Sequence, residues 1–165
     1  MSMSDPSGSG QANSPSRLTR RGALILGLAG IATGGAVAAQ WYNVLAENDG
    51  EAAISPVEAH RASSAGEITL VDIRRPDEWE RWGVGEGAVP IDMRRQDFID
   101  ELLIRTGGDR STPVALICAR GVRSRRMTEL LQAAGFTSII DVPEGMLGSG
   151  AGPGWIKRDL PVYRP

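Results

Sequence analysis

The sequence predicts a single α/β domain in which helices cover both faces of a central parallel sheet. Residues 113–117 form a continuous apolar run of strand length, which is typical of a strand buried on both faces of such a sheet. Helical periodicity follows, and residues 136–142 then read as a second strand. The apolar helical positions are Met127, Leu130, Leu131 and Ala134. This strand, loop, helix and strand order is a βαβ unit, which indicates the α/β class.

The elements before this unit follow the same alternation. Ser55 is expected to cap a helix, because Pro56 occupies the first turn and Glu58 lies three residues after the cap. The next expected elements are a strand at 67–74, a short helix at 75–83 and a longer helix at 94–108. Glycine closes both of these helices, as is typical of helix C-termini.

Length and charge narrow the functional classes. The 165 residues fit one ordinary domain plus a tail, and 41% hydrophobic with 23% charged residues is the composition of a globular protein. The formal net charge is −2, and the basic residues are dispersed except for a group after Cys118. We therefore expect no nucleic-acid partner, because binding along a phosphate backbone needs a continuous basic surface.

Residues 1–39 have the composition of a targeting segment. Residues 1–16 are rich in Ser, Gly and Pro, and a stretch of this kind is expected to remain a disordered leader. The pair Arg20 and Arg21 then precedes an uncharged run at 22–39, an arrangement that resembles the twin-arginine export motif. The twin-arginine export machinery is thus an expected partner.

Two fates are open for the uncharged run at 22–39. It is short and interrupted by glycine for a spanning helix, although anchoring in the membrane stays an alternative. Small residues at 36–38 suit a signal peptidase, which favours cleavage near Ala39. Either fate puts the domain at 54–165 in the periplasm or another extracytoplasmic space, joined through a polar linker at 40–53.

Cys118 is the only cysteine of the chain. Exported proteins that use cysteine structurally use it in pairs, so an unpaired thiol is either a buried apolar side chain or a reactive group. Cys118 follows the buried strand at 113–117, and ligands of open α/β sheets collect at the carboxyl ends of the strands. This location favours the reactive group.

The loop after Cys118 has the residues of an anion pocket. Backbone N–H groups of a tight loop, together with the positive end of the following helix, attract an anion and favour a thiolate. Gly121 permits backbone angles that let the loop curl around the sulfur. Arg120 and Arg123 bracket it with guanidinium groups that suit oxyanions, whereas Arg125 and Arg126 are expected on a solvated helix face.

Three segments together resemble the rhodanese family of sulfurtransferases. The segment "CARGVRS" is similar to the family's active-site loop, "LVDIRRPDEWERWG" to its Asp-x-Arg strand with an acidic-aromatic helix, and "GEGAVPIDM" to a segment ending in Gly-Ala. The resemblance runs from about Ile54 to Pro165. It implies the rhodanese-like fold and a thiosulfate:acceptor sulfurtransferase that works through covalent double displacement.

The resemblance also implies roles for individual residues. Cys118 corresponds to the sulfur-accepting nucleophile, and Asp72 and Arg74 correspond to a buried pair that supports the active edge. The substrate-binding loop that cradles the persulfide corresponds to Ala119, Arg120, Gly121, Val122 and Arg123. The implied partners are a small sulfur-containing anion as donor and a thiol or protein as sulfur acceptor, and we expect no cofactor and no metal.

The chain departs from the family pattern at two places. Val84 stands where the family usually has histidine, and the only histidine, His60, is expected on the surface. A thiolate stabilised by a helix end needs no partner base, so the expected mechanism survives this change. Glu144 replaces a usual glycine, and a glycine-rich loop at 145–154 is expected to shape acceptor access or to dock a partner.

Two other functions compete with sulfur transfer. Cys118 would also suit a redox sensor or a binding module that receives sulfur from one specific partner, and reaction with thiosulfate separates these readings. Phosphatase or arsenate-reductase chemistry is disfavoured, because the six residues from Cys118 to Arg123 match the shorter loop of the sulfurtransferases. A metal site is disfavoured as well, since one Cys and one distant His do not make a ligand set.

Overall fold

The structure, a computed structural model, describes residues 52–165. Five parallel strands form the central sheet. They are β1 (Ala52–Ala53), β2 (Thr69–Asp72), β4 (Ala88–Pro90), β5 (Val114–Ile117) and β6 (Ile139–Asp141). Their spatial order is β1-β6-β5-β2-β4, with β5 at the centre, and β3 (Val84–Gly85) pairs antiparallel with β7 (Val162–Tyr163) beside the sheet. The predicted α/β fold with a parallel sheet is confirmed.

Five helices accompany the sheet within the described part of the chain. They are α1 (Pro56–Ser64), α2 (Pro76–Trp82), α3 (Phe98–Arg105), α4 (Val122–Ala133) and α5 (Gly154–Lys157). Ser55 caps α1 and shares a capping box with Glu58, as predicted. Gly83 ends α2 with a positive φ of 75°, a backbone angle that favours glycine.

The strands carry apolar side chains on both faces, so two cores form. Leu70 and Ile117 face a first core that is closed by α1 and by Trp155 of α5. Val71 and Leu116 face a second core that is closed by α3 and α4. Because successive strand residues point to opposite faces, a four-residue apolar strand serves both cores at once. Helices therefore flank the sheet on both faces, as the sequence predicts.

The buried face of α4 differs from the predicted one. Leu130 is 54% exposed, whereas Leu131 is buried. The stripe facing the sheet consists of Ser124, Met127, Thr128 and Leu131. This stripe keeps the spacing of three and four but includes two polar residues, which a count of apolar positions passes over. The prediction for Leu130 was therefore wrong.

Two element boundaries also differ from the expectation. Ala52 and Ala53, expected in the linker, pair with β6 as an edge strand. The third helix begins at Phe98 rather than at residue 94. Arg94 and Arg95 instead form local ion pairs with Asp92 and Asp97, and these pairs fit a turn before the helix. The added strand widens the sheet without moving β5 from its centre.

The targeting segment expected at 1–39 and most of the linker lie outside the described residues. Between residues 52 and 165, no helix is long and apolar enough to cross a membrane.

Candidate active site

Cys118 directly follows β5 at the carboxyl edge of the sheet. Its side chain is 1% exposed and packs with the second core. The Cys118 carbonyl accepts a hydrogen bond of 2.8 Å from Met146 N–H, and the Ala119 carbonyl accepts one of 2.9 Å from Leu147 N–H. The thiol thus sits under the loop that it begins, and the glycine-rich segment after β6 holds that loop in place.

Gly121 turns the chain from the loop into α4. It has a φ of 84° and is the N-cap residue of the helix, whose first hydrogen bond runs from Arg125 N–H to the Gly121 carbonyl. A Cβ on Gly121 would lie 3.0 Å from the carbonyl carbon of Pro143 and closer still to its oxygen. The first N–H groups of α4 have no partner within the helix, and they lie at the end of the loop that begins at Cys118.

Ser124 contacts the thiol and was missed by the sequence reasoning. Its side chain is fully buried, and its Oγ lies 3.5 Å from Cys118 Sγ. The same hydroxyl donates a 3.0 Å hydrogen bond to the Gly121 carbonyl. It is therefore a fixed polar neighbour of the sulfur. The only sequence signal was a serine one position beyond the loop, on the first turn of the helix.

Arg123 reaches across the site to α2. Its two terminal nitrogens form 2.7 Å hydrogen bonds with the two carboxylate oxygens of Glu78. This pairing lowers the pKa of Glu78 and raises the pKa of Arg123, to which the charges of Cys118 and Asp72 add smaller upward contributions. Arg123 is thus electrostatically close to the sulfur, but its guanidinium is already occupied by Glu78.

The remaining loop residues divide into buried and exposed ones. Ala119 is buried, whereas Val122 is 79% exposed. Arg120 is exposed, and its only polar contact to a described residue is a 3.5 Å approach to the Gly148 carbonyl. Of the predicted loop residues, Ala119 and Gly121 are therefore buried in the turn of the loop, and Arg120 forms no ion pair with a described residue.

Asp72 and Arg74 form the predicted buried pair. Both side chains are fully buried, and Arg74 binds both oxygens of Asp72 at distances of 2.6 to 3.1 Å. Arg74 Nη2 also donates a 2.6 Å hydrogen bond to the Gly83 carbonyl. The pair links the carboxyl end of β2 to the end of α2, which carries Glu78. This position fits a supporting role beneath the active edge.

Val84 and His60 are the two positions at which a catalytic histidine would be sought. Val84, at the position where the family usually has histidine, is fully buried and pairs with Tyr163 in the antiparallel ribbon. The His60 ring packs edge-on against Trp155 with centroids 5.5 Å apart, and it is half-buried rather than on the surface as expected. Neither residue provides a base beside Cys118.

The glycine-rich segment at 145–154 is held by close backbone contacts. A Cβ on Gly145 would lie 2.6 Å from the Ala119 carbonyl group, and one on Gly148 would lie 2.5 Å from the Pro153 oxygen. A Cβ on Gly152 would lie 2.5 Å from the carboxyl carbon of Glu144. These glycines allow the chain to pack against itself and against the active-site loop.

Glu144, which replaces a glycine of the family, anchors this segment. The side chain is 7% exposed and accepts hydrogen bonds from Gly154 N–H and from two nitrogens of Arg158, at 2.7 to 3.0 Å. The ion pair with Arg158 lowers the pKa of Glu144. No group of three or more potential metal-ligating side chains occurs in the stretch from residue 52 to 165.

One protein-family model matches the chain. It is described as "Rhodanese-like domain", and it covers residues 55–148, more than half of the sequence. No curated protein matches the chain significantly.

Solved structures of several microbial proteins are similar to the chain. The polysulfide-sulfur transferase homodimer of Wolinella succinogenes is 25% identical with a TM-score of 0.53, and the match covers 78% of this chain and 88% of that one. A rhodanese-related protein of Thermoplasma volcanium is 25% identical with a TM-score of 0.51, covering 68% and 98%. A protein of M. tuberculosis is 28% identical with a TM-score of 0.52, covering 68% and 97%.

Proposed function

This chain belongs to the rhodanese-like domain family, and from that membership we propose that it is a sulfurtransferase that carries a sulfane sulfur on Cys118. The observation that carries the proposal is the position of the thiol. Cys118 directly follows the central strand β5 and begins a loop that turns at Gly121 into the N-terminus of α4. A sulfur atom held there meets backbone donors, a hydroxyl group and arginine charge within one short segment.

In the first step, the Cys118 thiolate attacks the outer sulfur of a donor such as thiosulfate. A bond forms between Cys118 Sγ and that sulfur, the S–S bond of thiosulfate breaks, and sulfite leaves with the electron pair. The thiol proton passes to water before the attack. Backbone N–H groups at the start of α4 stabilise the anionic sulfur, because helix N-termini carry partial positive charge.

In the second step, an acceptor thiolate attacks the outer sulfur of the persulfide. The bond to Cys118 Sγ breaks, the acceptor leaves as a persulfide, and the thiolate is restored. The same set of donors serves thiolate, persulfide and departing sulfite in turn, so the pocket needs no reorganisation between the steps. Ser124 Oγ, 3.5 Å from Sγ, accepts a hydrogen bond from the Cys118 thiol and donates its own proton to the Gly121 carbonyl, so it ties the sulfur to the turn of the loop.

The proposed sulfur donor is an anionic sulfur compound, and two candidate donors can be compared. Thiosulfate suits the anion-stabilising loop, and the Wolinella succinogenes relative is named a polysulfide-sulfur transferase, so polysulfide is the second candidate. Sulfite released from thiosulfate, or persulfide formed on an added thiol, measures turnover. We expect both activities to disappear in Cys118→Ser, and transfer at the wild-type rate in that variant would show that another group is the nucleophile.

A second candidate is a carrier that one specific protein loads with sulfur. The burial of Cys118, only 1% exposed, favours this candidate because a docking protein can open the loop over a buried sulfur. This candidate predicts that the wild-type protein does not react with thiosulfate or polysulfide, although its Cys118 thiol can be alkylated.

We propose that the domain works outside the cytoplasm after export by the twin-arginine machinery. Arg20 and Arg21 before the uncharged run at 22–39 support this proposal. Cell fractionation of the full chain tests it against a variant that carries Arg20→Lys and Arg21→Lys together. The variant is expected to accumulate in the cytoplasm, and equal export of both proteins would contradict the twin-arginine route.

A further inference from the structure

An open surface cavity of about 340 Å³ lies next to the active-site loop. Its walls are formed by Arg120 of the loop, by Lys157 at the end of α5, and by the glycine-rich segment between them. The residues of that segment are Leu147, Gly148, Ser149, Gly152 and Pro153. Ligand sites of small molecules begin at about this volume, so the cavity can hold a small organic molecule.

The two cations of the cavity are free, unlike most arginines of the domain. Within residues 52–165, neither Arg120 nor Lys157 forms an ion pair, and no carboxylate lines the cavity. The nearby Glu144 carboxylate is taken up by Arg158, the residue after Lys157. Two unpaired positive charges on one cavity favour an anionic occupant.

The wall between the cations has a defined shape. Ser149 N–H donates to the Gly152 carbonyl at 2.9 Å, and Ser149 Oγ donates to the Pro143 carbonyl at 2.7 Å. Ala151 N–H in turn donates to Ser149 Oγ at 3.1 Å. The glycine-rich segment is therefore a hydrogen-bonded turn, which gives this wall of the cavity a defined shape.

The cavity adjoins the start of the active-site loop. Leu147, which lines it, donates to the carbonyl of Ala119, the residue after Cys118. The Cα atoms of Cys118 and Arg120 are two residues apart and hence separated by at most about 7 Å. A molecule of a few carbon atoms bound at Arg120 therefore lies against the loop that begins at Cys118.

We propose that this cavity binds the carboxylate groups of a small dianionic thiol, which acts as the sulfur acceptor. The inference rests on the proposed function and adds the chemical class of its acceptor. Arg120 and Lys157 bind the carboxylates, and the thiolate of the same molecule attacks the outer sulfur on Cys118. The Cys118 sulfur leaves with the electron pair of the broken bond, and the thiol proton has passed to water.

Acceptor kinetics test the assignment with two probe thiols of different charge. Mercaptosuccinate carries two carboxylates and 2-mercaptoethanol carries none. We expect Lys157→Gln to raise the KM for mercaptosuccinate about tenfold, because this thiol loses a contact between its carboxylate and the lysine charge. The KM for 2-mercaptoethanol, which has no carboxylate, should change less than about twofold. Arg126→Gln is the matched control, because Arg126 is an exposed cation of α4 that does not line the cavity. Equal effects of Lys157→Gln on the two thiols would overturn the proposal.

Lys157 is the only lysine of the chain, which allows a second test without sulfur chemistry. The full-length Cys118→Ser variant is acetylated with and without succinate. Peptide mass spectrometry then compares the extent of acetylation at Lys157 with that at the N-terminal amine. Succinate is expected to protect Lys157 alone, and adding Arg120→Gln should remove that protection. Absence of protection would refute the anion site. Failure of thiosulfate to load the wild type would count only against the proposed function.

Discussion

Replacing Gly121 with alanine tests the shape of the active-site loop. Gly121 has a φ of 84° and lies against the backbone of Pro143. The added Cβ would meet the carbonyl group of Pro143 at 3.0 Å from its carbon, so a backbone segment would have to move. The substitution thus combines a disfavoured backbone conformation with a steric conflict.

The magnitude follows from a comparison with Gly107→Ala. Gly107 also has a positive φ, 65°, but a Cβ there would meet nothing within 4 Å. A left-handed backbone costs a residue other than glycine about 1–2 kcal/mol, and this cost applies to both variants. Overpacking against fixed atoms adds about 1–3 kcal/mol, which applies to Gly121→Ala only. The effect of alanine on the unfolded chain is the same in both variants and cancels in the difference.

Urea denaturation of the full-length variants measures this difference. A gap of about 1–3 kcal/mol corresponds to a difference in midpoint of about 1 M urea at the slopes usual for small domains. Gly121→Ala should be the less stable variant and should also lose sulfur transfer, because the loop cannot keep its turn. Equal midpoints for the two variants would refute the close approach of the loop to Pro143.

Three further predictions concern ion pairs and packing. Glu144→Gln should lower the free energy of unfolding by about 2 kcal/mol at neutral pH. Because the pKa of the Glu144 carboxyl is lowered from 4.5 in the folded state, this contribution is present above pH 4.5 and is lost as the pH falls through the lowered pKa. The urea unfolding curves of the wild type and the variant should therefore converge in acid. Leu131→Ala should cost about 2–5 kcal/mol in urea denaturation, whereas Leu130→Ala should cost far less, and similar losses would contradict the assigned buried face. Arg123→Ala should raise KM for thiosulfate more than Arg126→Ala does, and equal effects would remove Arg123 from the donor site.

Local patterns were sufficient to predict the fold class and the position of the candidate nucleophile in that fold. The capping box at Ser55 and the apolar run at 113–117 depend on neighbours within a few residues, and the structure has both features where the sequence predicts them. The position of Cys118 at the carboxyl end of that strand follows from chain order alone. The positive φ of Gly121 could likewise be expected, because a strand must turn tightly into a helix there.

Contacts between distant segments could not be predicted in this way. Glu78 and Arg123 are 45 residues apart, and only the folded chain brings the two side chains together. Leu130 and Leu131 differ by about 100° around the helix, so their burial depends on how α4 is rotated against the sheet. The composition of residues 145–154 predicts a glycine-rich loop, and only the folded backbone shows the close contacts that require Gly145, Gly148 and Gly152.

The intact mass of the full-length protein, reduced and then incubated with thiosulfate, shows directly whether Cys118 accepts a sulfane sulfur. We expect a species heavier by one sulfur atom in the wild type, absent in Cys118→Ser and lost again when a thiol acceptor is added. An unchanged mass in a protein whose Cys118 can still be alkylated would contradict sulfur transfer from this donor.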